Sequence, residues 1–172
     1  MQTATPAVRT APTFVAPSPG FQDLYQRYSE TVYRTALRVT GNPADAEDVL
    51  QTVFLRVFDN QLTLDPLWSP ERYLRRAATN ASIDVIRRRA SQGETEMQDD
   101  RGYGARESTV LLKEQLRRAI AKLPPESAEM FVLCYLEGYS YEELADQFQM
   151  ERGTIASRLH RIRAALQKDL SQ

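Results

Sequence analysis

The sequence predicts an all-α fold: two small helical bundles joined by a flexible linker, the C-terminal one containing a helix-turn-helix. Three observations lead there. Apolar residues recur at helical spacing through two long stretches, and helix starts with Pro just inside them stand at Asn42-Pro43 and Ser69-Pro70. No segment shows the apolar–polar alternation of a half-buried strand. The 172 residues, 42% of them apolar, suffice for one ordinary domain or two small ones.

Each element follows from local chemistry. Residues 1–20 hold four of the nine prolines (Pro6, Pro12, Pro17 and Pro19) and no apolar period, which predicts a disordered tail. Phe21, Leu24, Tyr25, Tyr28, Val32 and Ala36 then define a first helix ending near Gly41. Asn42 is the expected cap of the second helix, with Pro43 in its first turn and Ala46, Val49, Leu50, Val53, Phe54, Val57 and Phe58 as its stripe. A loop containing Pro66 leads to a third helix, from Ser69-Pro70 to about Arg89, with Tyr73, Leu74, Ala77, Ala78, Ala81 and Val85 facing inward. These make one unit over 21–89. Residues 90–109, rich in Gly, Ser and acid, predict a flexible linker.

The second unit, 110–172, opens on Leu112, Leu116, Ala119, Ile120 and Leu123 and breaks at Pro124-Pro125. Ala128, Phe131, Val132, Tyr135 and Leu136 form the next stripe, up to Gly138. Ser140 with Glu143 reads as a capping box for a short helix over 141–147. After a turn at Gln149-Met150, Ile155, Leu159, Ile162 and Leu166 face inward on a last helix. Leu144, Ala145, Ile155 and Leu159 fall where two crossing helices pack, which leaves Ala156, Ser157, His160 and Arg161 beside the packed stripe. Such a helix reaches base edges in a major groove, although the same motif also serves as plain bundle structure.

Local charge strengthens the nucleic-acid reading. The total of −1 conceals six Arg against one Asp over 72–89, and five bases against two acids over 150–172. The linker carries five acids against two bases, and 110–149 seven acids against four. Two separated basic helices suit two contacts along a polyanion; Arg-rich helix ends are also ordinary solvated faces.

Other classes are excluded by what is missing. One cysteine, Cys134, precludes a disulfide framework, and it sits in the apolar run of residues 130–136. That run is far short of the ~20 residues a bilayer span needs, so a soluble, cytoplasmic protein without membrane insertion is expected. His160, the single histidine, has no evident partner. No nucleophile–base pair, phosphate loop or metal-ligand spacing occurs, so no enzyme, metal or cofactor is expected.

Taken together, the two halves resemble bacterial sigma factors of the extracytoplasmic-function (ECF) type. In the first half the matching text includes Phe21-Gln-Asp-Leu-Tyr, the run Gly41-Asn-Pro-Ala-Asp-Ala-Glu-Asp-Val-Leu, and Ser69-Pro-Glu-Arg-Tyr-Leu-Arg-Arg through to Arg89. In the second half it is Leu123-Pro-Pro, Tyr135-Leu-Glu-Gly-Tyr-Ser-Tyr-Glu-Glu-Leu-Ala and Gly153-Thr-Ile-Ala-Ser-Arg-Leu-His-Arg. The resemblance covers about 21–89 and 110–168.

The resemblance implies a transcription initiation factor that binds core RNA polymerase and directs it to promoters; a free-standing helix-turn-helix regulator is the alternative. The first unit resembles sigma region 2. Its second helix matches the part that docks on the polymerase β′ clamp helices, at Asp45, Glu47, Asp48, Gln51 and Phe54. The loop and third helix match the part that melts and reads the −10 element, with Trp68, Arg72, Tyr73, Arg75, Arg76 and Asn80 as candidates; single strands call for aromatic surfaces and phosphate-binding Arg. Phe54 and Tyr73 suit core positions equally well. The second unit resembles region 4, reading the −35 duplex with Arg152, Thr154, Ala156, Ser157, Arg158, His160 and Arg161. Implied partners are core polymerase (β′ clamp helices and β flap), promoter DNA and an anti-sigma factor. Ala156 replaces a commonly basic residue, Glu151 a commonly neutral one, and Thr52 a frequent Glu.

Overall fold

A computed structural model describes residues 19–59, 69–92 and 104–171. All elements among them are helical: α1 (Pro19–Thr40), α2 (Pro43–Phe58), α3 (Pro70–Gln92), α4 (Gly104–Lys122), α5 (Pro125–Tyr135), α6 (Tyr141–Phe148) and α7 (Arg152–Leu170). Residues 1–18 and 93–103 lie outside the description, with most of the expected tail and the middle of the expected linker. Both of those boundaries shift. α1 starts inside the tail at Pro19, α3 runs to Gln92, and α4 begins at Gly104, so helices occupy both ends of 90–109.

The helix ends follow the expected chemistry. Gly41 closes α1 at φ +69°, a left-handed conformation that glycine adopts without a Cβ penalty, and its N–H donates to Leu37 O at 2.9 Å. One residue later Asn42 Oδ1 accepts from the N–H groups of Ala44 and Asp45 at 2.8 and 3.2 Å, starting α2. Ser69 Oγ accepts from Arg72 N–H at the start of α3. The capping box of α6 is complete: Ser140 Oγ accepts from Glu143 N–H, and Glu143 Oε2 accepts from Ser140 N–H at 2.9 Å. Gln149 then takes a left-handed φ of 53°, which makes the tight turn into α7.

Two apolar clusters hold the helices. Val32, Ala36, Ala46, Val49, Val53, Phe54, Leu74, Ala78 and Ala81 bind α1–α3 into a three-helix bundle. The second cluster gathers α4–α7 around Ile120, Met130, Leu133, Leu144, Ile155 and Leu159, and it also includes Val39 of α1 with Ile83 and Ile86 of α3. The two units therefore pack as one body through α3, which is apolar on two faces and buried between them. Three positions of the expected apolar stripes turn outward: Tyr25 is 43% exposed, Leu112 55% and Tyr135 41%. Leu112 sits in the third turn of α4 beside exposed Val110 and Leu111, and the Tyr135 ring rests against Phe131 at 4.8 Å between centroids.

Arginines reach across the junction to finish each other's helices. Arg87 of α3 donates to Leu123 O at 2.9 Å and to Ala121 O at 3.4 Å at the end of α4. Arg117 of α4 donates to Val39 O at 3.0 Å in the last turn of α1. These bonds satisfy terminal carbonyls that have no partner within their own helix. A Cβ at Gly41 would lie 2.0 Å from the Arg117 guanidinium, so glycine serves both the turn and the approach.

Candidate nucleic-acid interface

α7 buries Ile155, Leu159, Ile162 and Leu166, which seat it against α5 and α6. The opposite face is polar and exposed: Thr154, Ser157, His160 and Arg161 form a stripe at helical spacing. Arg161 makes no ion pair among the described residues. Ser157 Oγ donates to Gly153 O at 2.9 Å, which holds its hydroxyl on the helix surface. The remaining candidates of this helix are placed differently. Arg152 is exposed and pairs with Glu142 at 2.6 Å, Arg158 is tied to Glu126 of α5 at 2.7 Å, and Ala156 is half-buried. The exposed patch narrows to four residues, flanked by Arg152, Arg163 and Lys168. Short polar side chains and an arginine on a protruding helix suit a major groove.

α3 presents a different picture. Arg72 is bound to Glu143 Oε1 at 2.5 Å, and Arg76 to Glu129 Oε1 at 2.5 Å with its guanidinium 5.6 Å from the centre of the Phe148 ring. Arg75 pairs with Glu71 of its own helix at 2.9 Å and lies 3.5 Å from Glu137 Oε2. Glu129, Glu137 and Glu143 all belong to the α4–α7 unit. Tyr73 and Asn80 are half-buried, and the Tyr73 ring packs against the first core. Burial pushes the Tyr73 phenol above its ordinary range, opposed by Arg56 and Arg76, so it stays neutral. Trp68 lies outside the described residues.

Sequence reasoning overlooked the cross-junction carboxylates. Glu137 has a fully buried side chain, where Thr35 Oγ1 donates to it at 2.8 Å and Arg38 Nε stands 3.0 Å away. The available signal was Thr79, Ile83 and Ile86 lying on the same side of α3 as Arg72 and Arg76, a second apolar face with nothing in the first unit to cover it. The backbone hydrogen bond from Ser140 and the bond from Arg72 hold the Glu143 carboxyl below its ordinary range.

On α2 the five candidates divide. Glu47, Asp48 and Gln51 are exposed along one side with Leu55, which is 61% exposed. Asp45 is paired with Arg89 of α3 at 2.9 Å and is largely buried. Phe54 is 3% exposed in the core, edge-on to Tyr25 and Phe21 with centroids 4.9 and 6.1 Å away. Leu55 and half-exposed Tyr25 belong to this surface; Leu55 lies off the apolar stripe read from the sequence, and Tyr25 was read there only as part of the first helix's stripe.

No group of His, Cys, Asp and Glu that could hold a metal occurs among the described residues, and no helix there is long and apolar enough to cross a membrane. Burial pushes the Cys134 thiol up, opposed by Arg163, which leaves it a poor nucleophile.

The family model described as Sigma-70 region 2 matches residues 24–92, and that for Sigma-70, region 4 matches residues 113–166. The ECF RNA polymerase sigma factor SigW of Bacillus subtilis (strain 168) is 30% identical over 165 residues, with 87% of this chain and 88% of the relative covered. The chain belongs to the ECF RNA polymerase sigma factors. The α1–α3 unit is its region 2 and the α4–α7 unit its region 4. Another relative, the ECF RNA polymerase sigma factor SigE of Mycolicibacterium smegmatis, is 34% identical over 165 residues; 91% of this chain is covered, and the chain spans 64% of that protein's length. The fold also resembles the sigma factor RpoE of Bartonella quintana, solved in complex with the anti-sigma factor NepR. The TM-score there is 0.52 at 20% identity, covering 90% of this chain and 98% of that one. As an ECF sigma factor the chain is a transcription initiation factor that directs RNA polymerase to promoters.

Proposed function

We propose the following division of labour for this sigma factor. Region 4 reads the −35 duplex with Thr154, Ser157, His160 and Arg161, while Arg152, Arg163 and Lys168 lie near phosphates; Ala156 and Arg158 support the helix from its half-buried side. Region 2 melts and captures the −10 strand through α3, with Arg72, Arg75 and Arg76 on phosphates and Tyr73, Asn80 and Trp68 toward bases. The exposed side of α2, Glu47, Asp48, Gln51 and Leu55, docks on the β′ clamp helices, with Asp45 and Phe54 holding that helix in place, and region 4 contacts the β flap. The protein acts in the cytoplasm, carries no chemistry of its own, and takes an anti-sigma factor as a further partner. The observation that carries this reading is the polar, exposed stripe of α7 on a helix whose other face is fully packed.

Co-elution with bacterial core RNA polymerase, followed by transcription from a genomic promoter library, tests it. New promoter-specific transcripts that depend on the added chain are expected. Tight binding to short duplex DNA with no polymerase association would overturn it in favour of a free-standing regulator.

A further inference from the structure

We infer that Glu126 and Glu142 are specificity-determining residues of region 4: each neutralises an arginine at one edge of the α7 stripe and so withdraws it from DNA phosphate. The inference deepens the −35 assignment of α7 and rests on it. Arg152 and Arg158 are the cations in the first two turns of α7, and by helical spacing they lie on opposite flanks of Thr154, Ser157 and Arg161. Each is answered from another helix. Glu142, in the first turn of α6, stands 2.6 Å from Arg152 Nε, and Glu126, in the first turn of α5, stands 2.7 Å from Arg158 Nη1. Glu151 adds a third carboxylate at this end, since it caps α7 without a side-chain hydrogen bond. Farther along the helix the pattern changes: Arg161, Arg163 and Lys168 are exposed and make no ion pair among the described residues.

A recognition helix enters the major groove with its N-terminal residues toward the base edges, and a phosphate backbone borders the groove on either side. The two flanks of α7 therefore face one strand each. A bare arginine there would attract phosphate on any duplex. An arginine already bonded to a carboxylate presents a neutral edge, because carboxylate and phosphate engage the same guanidinium donors. Both pairs are open to solvent, where an ion pair contributes little to stability, so their main effect is on the charge the helix presents. Sequence-independent attraction is then lowered on every duplex alike. Only a site that adds base contacts from Thr154, Ser157, His160 and Arg161 is held against the excess of other sequences. Backbone anchoring falls to Arg163 and Lys168, away from the reading end.

The test measures binding of the full chain to a short labelled duplex of random sequence across a salt series. The parent is compared with E126Q, with E142Q and with the double variant. A control, D23N with D59N, removes equal charge at exposed sites on region 2. Circular dichroism confirms folding, and either single variant carries the test where the double variant does not fold.

Each released arginine should steepen the plot of log affinity against log salt by about 0.9. The double variant should therefore gain about 1.8 in slope and bind at least about tenfold more tightly in about 0.1 M salt. The control should keep the parental slope and stay within about threefold in affinity, since exposed charges beyond a Debye length are screened. Adding R152Q and R158Q to the double variant should return both numbers close to the parent's. A parental slope in both single variants overturns the proposal, as does an equal gain in the control or a gain that survives loss of both arginines. Replacing Arg161, Arg163 and Lys168 by Ala in the parent separates the two levels. Unchanged duplex affinity there would remove α7 as the duplex-reading helix, whereas lost affinity beside parental slopes in the acid variants would remove only the role of Glu126 and Glu142.

Discussion

Phe54 and Leu55 are chain neighbours with opposite exposure, and replacing each by alanine separates packing from partner contact. Phe54 is 3% exposed and sits edge-on to Tyr25 and Phe21. Removing its ring should cost about 3–5 kcal/mol, the range for a buried aromatic, within which the two ring contacts contribute about 0.5–1.5 kcal/mol each. For a chain of this size that lowers Tm by about 6–20 °C, at 2–4 °C per kcal/mol. Leu55 is 61% exposed, so Leu55→Ala should cost about 1 kcal/mol or less and leave Tm nearly unchanged. Its effect should fall on the polymerase, where truncating an apolar contact residue at an interface costs about 1–2 kcal/mol, or 5–30-fold in affinity. Thermal melts by circular dichroism and binding to labelled core polymerase below both melting points give the four numbers required. A Tm loss in Leu55→Ala equal to that in Phe54→Ala would refute the packing argument. Parental polymerase affinity in Leu55→Ala, with affinity lost only in folded Phe54→Ala, would refute the docking argument.

Gly41→Ala should destabilise by about 2–3 kcal/mol, from a left-handed residue with a Cβ (about 1–2 kcal/mol) and from the lost bond between displaced Arg117 and Val39 O (about 1 kcal/mol). In an Arg117→Ala background urea melts should recover only the first part, and an unchanged cost there would show that the two are not coupled. Arg161→Ala should weaken discrimination among −35 sequences by about 1–3 kcal/mol if it contacts a base in bidentate fashion; transcription reduced equally on every promoter would reassign it to phosphate. Glu143 has its carboxyl held below the usual value of 4.5, so its contribution is complete above that value and lost as pH falls through the lowered one. Helix-turn-helix melting between pH 5 and pH 3 should therefore be less pH-dependent in Glu143→Gln, and an identical pH slope would contradict the assignment.

Much of the fold was legible because helix ends are chemically local. Asn42-Pro43 and the Ser140–Glu143 pair mark starts that the backbone realises atom for atom, and the turn at Gln149-Met150 falls where the apolar stripes of α6 and α7 separate. What escaped depends on a second layer. Tyr73, Leu74, Ala77 and Ala78 define one inward face of α3, but Ile83 and Ile86 turn toward region 4, a neighbour that helical period alone does not name. Leu112 looks like the continuation of the Leu116 stripe, yet it sits in the first half of α4, where it is 55% exposed among the described residues. The α7 patch was legible as a face, while its narrowing to Thr154, Ser157, His160 and Arg161 came from Glu126 and Glu142, acids on other helices that hold Arg158 and Arg152. The arginine cluster of α3 was legible as charge and illegible as interface, since carboxylates more than fifty positions away along the chain supply its partners.

The crossed arginines, Arg87 on the α4 terminus and Arg117 on the α1 terminus, have a consequence for hybrids assembled from two relatives. Joining one protein's first half to another's second half keeps every helix but, where the two differ at these positions, breaks the reciprocal clasps, so the ends of α1 and α4 would fray even where both cores remain intact. Exchanging positions 41, 87 and 117 as a set is then the smallest graft that transfers the seam, and the fit of that seam, more than sequence identity within either half, should decide which hybrids fold as one body.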